Sequence, residues 1–171
     1  MDYYTGKAPD EPSPTYRQVT EKEKVEIWYV EPLSKMRGDD AFICLMVCFP
    51  LLEAIMRYEL AIPDDQQVNF SDNSPALHWF SVFMTIPDAE ARKIWDAFRN
   101  GLLHQAMIKG TVDYDLTGTS AGRPAKAMDG RITLYVWDLR DGVVEKLKKH
   151  HRKLWRTGTS TLPTIYIRGG A

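Results

Sequence analysis

The sequence predicts a mainly α-helical bundle with a small β-ribbon inserted before the last helix. Three observations carry this expectation. Residues 41–60 are apolar nearly all round and then amphipathic, as in the central helix of a bundle. Residues 87–108 repeat Ala91, Ile94, Trp95, Phe98 and Leu102 at helical spacing. Residues 111–117 and 131–139 alternate apolar and polar side chains, the signature of half-buried strands.

Taken in order, residues 1–19 hold Pro9, Pro12 and Pro14 among charges and read as a flexible arm that gains structure only by docking. The single domain then spans residues 20–171. Thr20 followed by Glu23 is a capping-box pattern that starts a first helix carrying Val25, Ile27, Trp28 and Val30. Pro32 is expected to kink or end it, and Gly38 to stop any helix beyond that point. Asp39 or Asp40 caps the second helix, which runs to about Leu60 and should kink at Pro50. Turn formers dominate residues 61–75. An apolar, aromatic segment occupies residues 75–86, and Pro87-Asp88 opens the next helix with acid in its first turn.

Beyond residue 110 the pattern changes. Residues 111–140 read as a two-stranded ribbon joined by the turn-rich stretch GTSAGRPAKAMDG. Residues 141–156 form a basic last helix, and residues 164–168 (TIYIR) are a short strand able to edge the ribbon. The loop GTSAG lacks the Gly-Lys-Ser/Thr ending of a phosphate loop and reads as a hairpin connection.

The chain has 171 residues, 44% of them hydrophobic and 26% charged, with a formal charge of −1. That composition belongs to a globular domain and excludes a disordered or uniformly basic chain. The charge is unevenly spread. Residues 1–98 carry 9 basic and 17 acidic side chains, and residues 99–171 carry 13 and 6. Such asymmetry marks either a nucleic-acid face or two halves that pack together. The beginning of the chain shows no apolar core of a secretory signal. The longest uncharged apolar run, residues 41–52, falls short of the about 20 residues a membrane span needs. No membrane association is expected, and a cytoplasmic location is. Cys44 and Cys48, four apart on one helix, read as free buried thiols. No metal site and no cofactor are expected. His150 and His151 are adjacent and point in different directions on a helix, a spacing unsuited to a shared metal.

The chemistry-bearing segment is FRNGLLHQAMI, in which Arg99 and Asn100 precede His104. This segment, late on an apolar helix, resembles the Arg-x(4–6)-His motif of the HEPN family (higher eukaryote and prokaryote nucleotide-binding domains). The resemblance implies metal-free RNA cleavage, which needs a base for the 2′-hydroxyl, an acid for the leaving oxygen and positive charge on the phosphorane. His supplies either proton role near neutral pH, and Arg holds phosphate bidentately while staying charged. Asn100 supplies an orienting hydrogen bond. On an ideal helix, residues five apart project about 140° from each other. Arg99 and His104 therefore converge on one phosphate only through side-chain reach, a local distortion or a second subunit.

The resemblance to the HEPN family, in RN-x3-H and its helical context, covers about residues 20–110 and extends to 141–156, while the ribbon at 111–140 is not part of the basic HEPN pattern. It implies a metal-independent endoribonuclease of toxin or defence type, working as a homodimer in which two motifs meet. Arg99, Asn100 and His104 would be its catalytic residues, and its partners would be RNA and an antitoxin or other protein. The alternative is a non-catalytic HEPN-like module that binds a protein partner or a nucleotide.

Two further features bear on this reading. Glu53 comes directly after the longest apolar run, so it is expected to need a cationic partner: Arg99 as a support for the motif, or Arg57 at i,i+4. Lys146, Lys149, Arg152, Lys153 and Arg156 make the last helix basic, either as a solvated face or as a track for RNA phosphates.

Overall fold

A computed structural model describes residues 3–5, 16–100, 112–115, 120–150 and 165–168. The protein is mainly helical, with strands gathered in two small sheets. Thr20 caps helix α1 (Glu21–Val25) through the full capping box, its hydroxyl accepting from the Glu23 amide and the Glu23 carboxylate accepting from the Thr20 amide. The helix does not end at Pro32. It continues through a wide, π-helical turn (Glu26–Val30) into α2 (Glu31–Lys35), in which Pro32 occupies the first turn. The Glu31 amide reaches back five residues to the Glu26 carbonyl, and a wide turn placed there makes room for a residue without an N–H. Gly38, at φ +53°, then redirects the chain.

Helix α3 (Ala41–Glu59) is the core helix that the apolar run predicts, and it runs through Pro50, which is exposed. Cys44, Cys48, Phe49, Leu52, Ile55 and Met56 on it are fully buried. The two thiols are free, with their sulfurs 3.8 Å apart. The bond to the Cys44 sulfur, together with burial, pushes the Cys48 thiol well above its ordinary value. By length and composition the segment Gly38–Glu59 is sufficient to cross a membrane, with a mean hydropathy of 1.8, although the apolar run alone is not. Its buried side nevertheless forms the centre of the packed core.

Ser74 caps α4 (Pro75–Met84) by accepting from the Leu77 amide. After Pro87, α5 (Asp88–Ile94) leads directly into a second wide turn, Trp95–Asn100. Phe49, Phe70, Phe80, Trp95 and Phe98 form one aromatic cluster here. Trp95 stacks on Phe70 at 3.9 Å and Phe98 lies parallel to Phe49 at 5.5 Å.

The ribbon is a three-stranded sheet rather than a strand pair with a loop. β3 (Val112–Asp115) pairs in parallel with β5 (Arg131–Tyr135), and β4 (Ala125–Met128) pairs antiparallel on the other side of β5. β4 falls inside the stretch expected to be a loop. Asp129 and Gly130, both at positive φ, make the two-residue turn that closes the β4–β5 hairpin. The last helix, α6 (Val136–His150), begins at the end of β5, well before the expected residue 141. Gly142 lies within it because a Cβ there would press to 3.1 Å on the Phe83 ring. Val136, Leu139, Val143 and Leu147 bury one face of α6 in the core.

The tail strand does not edge this sheet. β6 (Ile165–Arg168) lies between β1 (Tyr3–Thr5) and β2 (Tyr16–Gln18), antiparallel to both. Two segments of the expected flexible arm are thus strands, and Val19 beside them is buried with Ile27 and Trp28 packed against it.

Candidate functional site

The motif begins where α5 departs from α geometry. The backbone of Arg99 and Asn100 closes the second wide turn. Their side chains, and the whole of His104, lie outside the described residues. Glu53 pairs with Arg57 at 3.3 Å, so the local i,i+4 partner is engaged. It borders a cavity of about 280 Å³ shared with Phe70, Trp95 and Asp96, which puts its carboxylate on the side of α3 that faces the motif-bearing turn.

The basic helix is described as far as His150. Lys146 and Lys149 line a cleft of about 730 Å³ between the end of α3 and the C-terminal part of α6. Arg152, Lys153 and Arg156 lie outside the described residues. Residues 146, 149 and 150 share one helix face because they are three and four apart, and they meet Arg57, Tyr58 and Glu59 across the cleft.

Glu59 is the hub. Its carboxylate accepts from Lys146 Nζ at 2.8 and 2.9 Å, from Trp79 Nε1 at 2.6 Å and from His150 Nε2 at 2.7 Å. Burial pushes this carboxyl up, but the bonds from Lys146 and Trp79, the Lys146 charge and the His150 contact outweigh it and hold Glu59 below the ordinary carboxylate range. The Lys146 ammonium also lies 5.2 Å from the centre of the Trp79 ring, and His150 tilts against Tyr58 at 5.3 Å. Lys146 is therefore committed to the protein. Lys149 is exposed and has no ion-pair partner among the described residues.

The α3 terminus shapes the other wall. Ala61, at φ +52°, takes the left-handed position where glycine is usual, and the Ala61 and Ile62 amides return to the Tyr58 and Arg57 carbonyls. Arg57 then fastens the adjoining loop by donating to the Pro63 and Gln66 carbonyls at 3.1 and 2.8 Å. Ile62 and Pro63 thereby supply an apolar side to a basic cleft.

Glu59, His150, Tyr58 and Trp79 were not singled out as site residues by sequence. The one available signal was the i,i+3,i+4 spacing of Lys146, Lys149 and His150, which fixes a helix face but not what it faces. Among the described residues, no three His, Cys, Asp or Glu side chains gather in a way that could hold a metal ion. Comparison with known proteins finds no matching family model, no similar curated protein and no similar solved structure.

Proposed function

We propose that this protein is a HEPN-like, metal-independent endoribonuclease of toxin or defence type that acts in the cytoplasm as a homodimer. Arg99 holds the scissile phosphate, His104 moves the proton, and Asn100 orients them. Lys149, with Arg152, Lys153 and Arg156, attracts the RNA backbone, and Lys146 contributes from its place on Glu59. An antitoxin or other protein partner would restrain the activity.

One observation supports this reading above the others: the helix that carries the motif leaves α geometry over Trp95–Asn100. The wide turn takes Arg99 and Asn100 out of the phase that a regular helix continuing α5 would give them, and the roughly 140° separation belongs to a regular helix alone. Wide turns are rare and recur at functional sites.

The test is cleavage of single-stranded RNA by the purified protein in the presence of a chelator. His104→Ala should lower the rate by about 100-fold or more while leaving the unfolding midpoint unchanged, the scale of a lost acid or base. Undiminished cleavage by that variant, or no cleavage by the parent protein, overturns the proposal.

A further inference from the structure

The cleft beside Glu59 has a chemistry of its own. Because Glu59 is held as a carboxylate, His150 must donate to it from Nε2. In the neutral ring, Nδ1 is then an acceptor, and it has no partner among the described residues. The Lys149 amine lies in the same cleft without an ion-pair partner among those residues, and so does the Tyr58 hydroxyl. Arg57 is occupied by two carbonyls and Glu53, so it contributes field rather than contact. Arg57 is paired with Glu53 and Lys146 with Glu59, which leaves the Lys149 charge uncompensated among the described residues and favours an anion. A volume of about 730 Å³ with Ile62, Pro63 and the Tyr58 ring on its walls exceeds what a bare oxyanion fills.

We infer that this cleft binds a small phosphomonoester, with its phosphate between Lys149 and Nδ1 of His150 and its apolar or aromatic body against Ile62, Pro63 and Tyr58. The proton count favours a monoester, which brings the bridging proton itself, over a diester, for which the ring must first take one from water. An acceptor at Nδ1 meets a phosphate oxygen only if a proton lies between them. A phosphomonoester titrates near pH 6, so it brings that proton as the monoanion or leaves it on the imidazole as the dianion. A phosphodiester has no such proton to bring. Glu59 fixes the ring and compensates the imidazolium, the arrangement by which carboxylates orient catalytic and binding histidines. The inference makes no use of Arg99 or His104. It shares Lys149 and Lys146 with the proposed RNA track, but small-ligand binding and RNA cleavage are read by different measurements, so the failure of one is told apart from the failure of the other.

The experiment is calorimetric titration of the full chain at low ionic strength with phenyl phosphate, methyl phenyl phosphate and inorganic phosphate. Phenyl phosphate should bind saturably, and the diester and inorganic phosphate at least about tenfold more weakly. Lys149→Glu, at an exposed position that leaves the core untouched, should weaken phenyl phosphate at least about tenfold, and His150→Gln similarly. Lys126→Glu makes the same charge change on β4 and should shift affinity by less than about twofold. The inference is overturned by an absence of saturable binding up to about 10 mM, by equal affinity for monoester and diester, or by equal losses in the Lys126 and Lys149 variants.

Discussion

Among the described residues two helices widen into a π-turn, and they do so for different reasons. The first, Glu26–Val30, comes immediately before α2, where Pro32 sits two residues beyond the turn. A proline ring clashes with the carbonyl four residues back in a regular helix, so the covalent sequence itself asks for the distortion. The second, Trp95–Asn100, has no proline within or beside it. Its cause lies in what surrounds it: Trp95 stacks on Phe70 and Phe98 on Phe49, and both rings are inserted into one cluster. A distortion with a local cause is legible residue by residue. One imposed by packing depends on partners from other helices.

The contrast can be broken most severely at Phe98. It is fully buried and parallel to Phe49, so Phe98→Ala should cost about 3–5 kcal/mol in urea unfolding, the usual loss for a large core aromatic. A loss below about 1 kcal/mol would show that packing does not hold the second turn. Pro32 is the matching position in the first. Pro32→Ala in a regular helix interior gains about 3 kcal/mol, but the wide turn has already absorbed part of the clash, so a gain of about 1 kcal/mol is expected. Destabilisation by this substitution would break the link between the proline and the turn.

A smaller effect sharpens the comparison at the start of the first helix. Bonds from Arg17 and from the Thr20 amide and hydroxyl hold the Glu23 carboxyl at about 2, below its ordinary 4.5. A pKa depressed in the folded state contributes stability above the ordinary carboxylate range, and that contribution falls away as pH drops through 4.5 toward 2. Glu23→Gln should therefore melt slightly below the parent protein at neutral pH, and the two should converge on acidification. A melting difference that persists to pH about 2 would show that charge at Glu23 is not what anchors this helix.

Much of the helical frame was legible. The Thr20–Glu23 box, the apolar run of α3, the aromatic segment opening at Pro75, and Pro87-Asp88 are local signals, and each marks an observed boundary or cap. The sheet was harder. β4 is only four residues long and hides in a stretch full of Gly, Ser and Pro, with Asp129-Gly130 as its sole clear marker. The start of α6 was masked because alternation continues from β5 into Val136 and Trp137, where a helix and a strand read alike. The cleft joins Glu59 to His150 across 91 residues of sequence. Neither residue is unusual alone, and only the packing of α6 on α3 makes them a pair. The motif itself was legible as a pattern, whereas the widened turn beneath it was not.

The sheet that places β6 between β1 and β2 has a kinetic consequence. Residues 165–168 pair with residues 3–5 and 16–18, so nearly the whole chain is the loop this sheet closes. The entropy of closing a loop grows only slowly, by about 0.6 kcal/mol per doubling of length. Three- and four-residue strands recover little of it unless the helices have already brought the ends together. The sheet is thus a latch that fastens once the helical body exists, tying the order in which the protein folds to the completion of its core.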